Sequence, residues 1–186
     1  MGVKIRTAGN RPGNKMRNAV LKIVAGILIA SLAVAPGKAE SIPPSPLSQL
    51  DFMIGNWVAR DPGEGPTKGG TSSIHLALGG KVIQRHDHVP LRKGGAFDID
   101  MTIYADGDQL RSEFFDSEGH VIHYRAATSP PHQRAVFESE GDASGPAFRL
   151  TYTKVSQTEL SIAFEIAPPG PTREYKVYTQ GNVRRR

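Results

Sequence analysis

The chain has 186 residues, no cysteine, and 23 Lys and Arg against 18 Asp and Glu, a formal net charge of +5. Without cysteine it can have no disulfide, thiolate metal site, cysteine nucleophile or lipoprotein anchor. The positive balance would suit a nucleic-acid partner only if it were spread over a folded surface, and it is not.

Lys4, Arg6, Arg11, Lys15, Arg17, Lys22 and Lys38 all fall in residues 1–39, which hold no acid. From Ala19 to Pro36 the chain is apolar apart from Lys22, Gly26 and Ser31, and Gly37 and Ala39 supply a small-x-small site. This is the pattern of a secretory signal peptide over 1–39, cleaved after Ala39, with Met16 as an alternative start. The protein is therefore expected to be exported, either periplasmic or secreted. The stretch AVLKIVAGILIASLAVA is shorter than the roughly 20 residues of a spanning helix, so no membrane span is expected after cleavage. An uncleaved N-terminal anchor is the alternative. Without the leader, 16 cations face 18 anions, and nucleic acid is not an expected partner. Arg184, Arg185 and Arg186 read as a solvated tail.

Residues 40–46 (ESIPPSP) form a proline-rich spacer, and 47–186 suit one domain with one core. LSQLDFMIGNW is expected to make a short helical turn into the first strand, with Ser48 as its N-cap and Gly55 as its end. A strand follows at Trp57 to Ala59, then the loop DPGEGPTKGG. Period-two runs separated by turns predict strands at Ser73 to Leu78, Lys81 to Val89, Phe97 to Ile103, Leu110 to Phe115 and Val121 to Ala126. More follow at Ala135 to Ser139, Phe148 to Thr153, Leu160 to Ile166 and Glu174 to Tyr178. About ten hairpin-linked strands with no helix between them predict an all-β, single antiparallel up-and-down barrel, since closure removes the open edges.

LSQLDFMIGNW, LGGKVIQR, MTIYADGDQLRSEFFDSEGHVIHY, FRLTY and FEIAPPG, in that order, resemble the DUF1579-type domains of unknown function. The Gly55-Asn56-Trp57 opening is also similar to that of lipocalin-like and nitrobindin-like barrels. The resemblance implies a calycin-type barrel with an internal cavity and implies no reaction. Nitrobindin-like proteins bind haem through a late histidine. The last histidine here is His132, so no haem is expected, and no other cofactor is implied.

His86, Asp87 and His88 form the one local cluster that could hold a metal; the two imidazoles share one side of the strand and would need further ligands, such as His120 or His123, to hold zinc or copper. Otherwise they line a solvated face or a mixed interior, and no metal is expected. No G-x-S-x-G elbow is present, and Asp98 and Asp100 lie on the polar side of an alternating strand. If apolar residues mark the inside, Phe97, Ile99 and Met101, Ile122 and Tyr124, Phe148, Leu150 and Tyr152, and Leu160, Ile162 and Phe164 point inward. Arg173, Tyr175 and Val177 would do so too. An inward Arg173 beside Tyr175 could hold a carboxylate, as a late R-x-Y does in fatty-acid-binding barrels. An exterior salt bridge is the other reading.

The expected function is binding of a small apolar or amphipathic molecule in the cavity, with Trp57, Tyr124, Tyr152, Arg173 and Tyr175 as candidate ligand contacts. Trp57 serves equally as a core plug. The alternatives are an envelope interaction module with a packed barrel, or an enzyme using His86 or His88 as a cavity general base. Neither the oligomeric state nor any reaction follows from the sequence.

Overall fold

The computed structural model describes residues 45–60 and 69–186. The expected leader, its cleavage site, most of the spacer and the loop segment DPGEGPTK lie outside the described residues. A 3-10 turn over Pro46–Met53 leads into β1 (Gly55–Ala59), β2 (Thr71–Ala77), β3 (Val82–Pro90), β4 (Ala96–Asp106) and β5 (Gln109–Asp116). The chain continues through β6 (Val121–Thr128), β7 (Arg134–Ser139), β8 (Ala147–Ser156), β9 (Glu159–Ala167) and β10 (Lys176–Arg185). Each strand pairs antiparallel with the next, and β1 pairs with β10, closing a ten-stranded barrel.

Ser45, not Ser48, caps the opening turn: its Oγ accepts from the Leu47 N–H at 3.3 Å, and Ser48 N–H donates to the Ser45 carbonyl. Pro46 explains the earlier start, because a first-turn proline presets φ and leaves no donor unmet. The turn buries Leu47, Leu50, Phe52 and Met53 and touches β4, β5 and β8. The β6–β7 connection holds it through His132 N–H to the Gln49 carbonyl and His132 Nδ1 to Asp51. The β2–β3, β4–β5, β6–β7 and β8–β9 connections share one end of an up-and-down barrel. The opening turn lies across that end and closes it.

Strand parity separates the two walls. Ile83, Arg85 and Asp87 of β3 are buried, whereas Gln84, His86 and His88 are exposed. Inward side chains near the closed end, including Ile83, Ile103, Leu110, Ala135 and Leu160, are buried. Toward the other end the inward Val89, Phe97, Ile99, Ile122, Phe148, Phe164 and Ile166 are only half-buried. Burial of the inward rows therefore falls off toward the end opposite the opening turn. The closed end is a fully buried core, and the half-buried far end is called the cup below.

β10 departs from expectation. The predicted strand at Glu174 to Tyr178 is replaced by a ten-residue strand running to Arg185, with a bulge at Tyr178. Arg185 is no solvated tail. Its guanidinium lies 4.5 Å from the Trp57 ring centroid, and its Nη1 donates to the Ile54 carbonyl at 3.0 Å. Gly55 makes room for it: φ is +151°, and a Cβ there would run into the guanidinium. The glycine and tryptophan of the Gly55-Asn56-Trp57 opening are thus both spent on seating one arginine from the last strand.

The outer wall carries a charge row in register, Arg125–Glu138–Arg149–Glu165 across β6 to β9. Arg149 grips Glu165 with two bonds of 2.7 and 2.6 Å, and these hold the Glu165 carboxyl below its ordinary value against modest desolvation. Burial alone would raise Asp116. The backbone N–H and ring of His120 and the N–H of Glu118 outweigh it and hold that carboxyl low. Both groups bind fewer protons folded than unfolded, so each stabilises the barrel above its ordinary value of 3.8 (Asp116) or 4.5 (Glu165) and loses that effect as pH falls below. The thermal midpoint should therefore drop on acidification through this window. Asp116→Asn and Glu165→Gln should flatten the drop, and an unchanged slope in the double variant would show that other groups carry it.

Candidate functional site

At mid-height the lumen is crossed by a polar layer. Arg85 of β3 and Asp87, two residues on, share the inward face and form a bidentate pair, Nε to Oδ1 at 3.0 Å and Nη2 to Oδ2. Arg85 is 5% exposed. Its guanidinium lies 5.6 Å from the ring centroid of Tyr152 on β8, which stands across the barrel from β3. The arginine therefore spans the lumen instead of lining one side. Its Nη1 faces the Met101 sulfur at 3.7 Å, a weak acceptor.

The opposite wall is an edge-to-face ladder of rings, Phe114–Tyr124–Phe137–Tyr152, with centroids 6.2, 6.4 and 6.0 Å apart. Such geometry fixes ring orientation and so aims each phenol. Tyr124 and Tyr152 are 1% and 0% exposed, and neither hydroxyl has a hydrogen-bond partner. The inward hydroxyls of Ser112 and Ser72 are also buried without partners. Buried donors left in this way are uncommon, because each loses its bond to water and gains nothing.

Electrostatics set the protonation states. Desolvation lowers the affinity of Arg85 for its proton, but Asp87 outweighs it through charge and hydrogen bonding, so the guanidinium stays charged. Burial pushes both phenols well above their ordinary range, although Arg85 pulls them down. The layer at neutral pH is one ion pair of zero net charge with two neutral phenols beside it.

Of the residues expected to contact a ligand, Tyr124 and Tyr152 meet in this layer. Trp57 lies below it as core, with Nε1 donating to the Met53 carbonyl at 2.8 Å. Arg173, Tyr175 and Val177 do not share an inward face. Arg173 donates to the carbonyls of Ser139 and Gly141 at 3.2 and 2.6 Å, strapping two loops at the rim. Tyr175 precedes β10; its hydroxyl is buried without a protein partner, and its ring lies 4.2 Å from the Arg149 guanidinium. Val177 registers with Glu165 and is exposed. Arg173 and Tyr175 come before the strand begins, so strand alternation does not set the face of either.

All six histidines are exposed. His86 and His88 stand on the outer wall, Nδ1 of each bonded to Asp100 and Asp98 at 2.9 and 2.7 Å. A cavity histidine acting as general base is therefore ruled out at His86 and His88. His120 and His123 are engaged with Asp116 and Glu113, and among the described residues no three potential ligands converge on a metal position. Two open outer grooves, about 390 and 430 Å³, are lined mostly by outward charged and small polar side chains such as Arg125, Glu138, Ser73 and His86.

Sequence reasoning missed Arg85 and Ser112, and took Asp87 for a member of the His86–His88 cluster instead of the partner of Arg85. The available signal was that Ile83 and Val89 bracket Arg85 and Asp87 with the same parity. Gln84, His86 and His88 made the opposite face look equally eligible. No protein-family model matches this chain, and no curated protein matches it.

Proposed function

We propose that this protein binds a small, mainly apolar or amphipathic molecule in the cup, its polar end against the layer of Arg85, Asp87, Tyr124 and Tyr152. The observation that carries this is the pair of buried, inward phenol hydroxyls that no protein group pairs with. A packed core would place phenylalanine at both positions. Above the layer, Phe148 and Phe164 stack at 6.0 Å, and Ile99, Ile122 and Ile166 extend the apolar wall. Ser72, Thr179 and Gly181 share the inward parity and add little side-chain volume to the wall. The basic, apolar character of residues 1–39 favours an exported binder, and the resemblance to DUF1579-type domains supports a cavity of the calycin kind.

Native mass spectrometry of protein purified from an exporting host, compared before and after denaturation, tests this. A mass that leaves on unfolding supports the reading, and an apo mass across several hosts counts against a tight binder. The hydroxyls offer a second check. Tyr124→Phe and Tyr152→Phe should each raise the stability of the unliganded barrel by about 1 kcal/mol, because an unmet buried hydroxyl is removed. The same changes should weaken ligand binding about tenfold, read by calorimetry beside the melting curve. Loss of stability in both variants would mean that the hydroxyls serve the fold alone.

A further inference from the structure

Resting on the reading of the cup as a binding site, we infer that its ligand carries an uncharged hydrogen-bond acceptor at the polar end, such as an ester, ketone or aldehyde carbonyl, and that the layer rejects a carboxylate. The argument starts from how Arg85 is used. A buried arginine in a barrel suggests an anion-binding site, and an R-x-Y near the last strand would strengthen that suggestion. Here the charge of the guanidinium is already matched: Nε and Nη2 go to the two oxygens of Asp87, and Nη1 faces the Met101 sulfur, a weak acceptor. Asp87 is itself inward-facing and 8% exposed, so its charge stays beside whatever enters.

A carboxylate arriving at the layer would meet a neutralised cation and a fixed anion in a poorly solvated lumen. It would give up its hydration without gaining a net opposite charge. An uncharged carbonyl faces no such penalty. Once a guest parts the side chains that now cover them, its oxygen can accept from the Tyr124 and Tyr152 hydroxyls, both held protonated and both without a protein partner, with Ser112 as a further donor. One acceptor oxygen thereby satisfies donors that the fold leaves unmet, and discrimination arises because the competing head group would leave an uncompensated charge. The rim agrees. Arg173, expected from the sequence to hold a carboxylate, is occupied by two backbone carbonyls.

The test titrates the full-length mature protein with methyl octanoate, octanoate and octane near neutral pH by calorimetry and native mass spectrometry. The ester should bind, with octanoate at least about tenfold weaker from like-charge juxtaposition. Asp87→Asn keeps an acceptor oxygen for Arg85 and removes the anion, so octanoate should gain and match or exceed the ester. Tyr124→Phe/Tyr152→Phe, which retains shape and apolar packing, should bring the ester down to the level of octane. That second variant keeps the test decisive where Asp87→Asn fails to fold. Octanoate binding the wild-type protein as well as the ester would overturn the neutral-acceptor inference and leave the cup reading standing. Failure of all three probes to bind would remove both.

Discussion

Asp87→Ala should destabilise the barrel by about 3–5 kcal/mol, the range for leaving one member of a buried ion pair alone. Set against the ~5–15 kcal/mol that holds a typical domain together, this is enough to leave much of the protein unfolded. Arg85 cannot retreat to water, because it lies across the lumen with 5% of its surface exposed and the dry core beneath it. The informative companion is Arg85→Met/Asp87→Leu, which fills the same space without charge and should recover most of the loss. Urea denaturation of the single and double variants measures both. A cost below about 1 kcal/mol for Asp87→Ala would mean that water replaces the carboxylate, and that Arg85 is better solvated than its burial indicates.

Trp57→Ala should cost about 3–5 kcal/mol, as expected for a large buried aromatic side chain. Trp57 is 1% exposed, supports the Arg185 guanidinium on its face, and ties β1 to the opening turn through Met53. Trp57→Phe keeps much of the volume and should lose about 1–2 kcal/mol, chiefly by orphaning the Met53 carbonyl. Because Trp57 lies below the polar layer, Trp57→Phe should leave ligand affinity unchanged. It is also the sole tryptophan, so its emission reports the closed end alone. A ligand that shifts that emission on binding would show that the guest penetrates past Arg85, contrary to the placement of the site in the cup.

The fold was readable because alternation survives in nearly every strand. Phe97, Ile99 and Met101 against Asp98 and Asp100 is such a case, and the inward sets expected on β4, β6, β8 and β9 are the inward sets observed. The site was less readable, for a reason intrinsic to it. Alternation identifies an inner face by its apolar residues, whereas this layer places polar residues on that same face. Arg85 and Asp87 contradict the pattern that would reveal them, and His86 and His88 drew notice from the other wall. Tyr124 and Tyr152 were placed inward because a phenol ring reads as apolar. Arg173 and Tyr175 lie before β10 begins, where alternation does not apply, and Val177 pairs with Glu165 because of the bulge at Tyr178. Arg185 was misread because its role depends on a carbonyl 131 residues away.

The seam where β1 meets β10 has a consequence for how the chain acquires its shape. Every other neighbouring pair of strands is joined by a short connection or a single loop and can zip locally, one hairpin after another. The β1–β10 pair instead closes a loop that spans almost the whole domain. Its three registered pairs, Trp57 with Arg185, Val58 with Arg184 and Ala59 with Val183, lie at the very end of β10. Loop-closure entropy therefore falls on the last step, after ten strands have assembled through nine pairings as an open, curled sheet with two bare edges. Such a sheet folds slowly and exposes edges that recruit other chains while it waits. The Trp57–Arg185 stack acts as a latch on that final step. Shortening the chain by its last few residues would leave the strands intact and the cylinder unsealed.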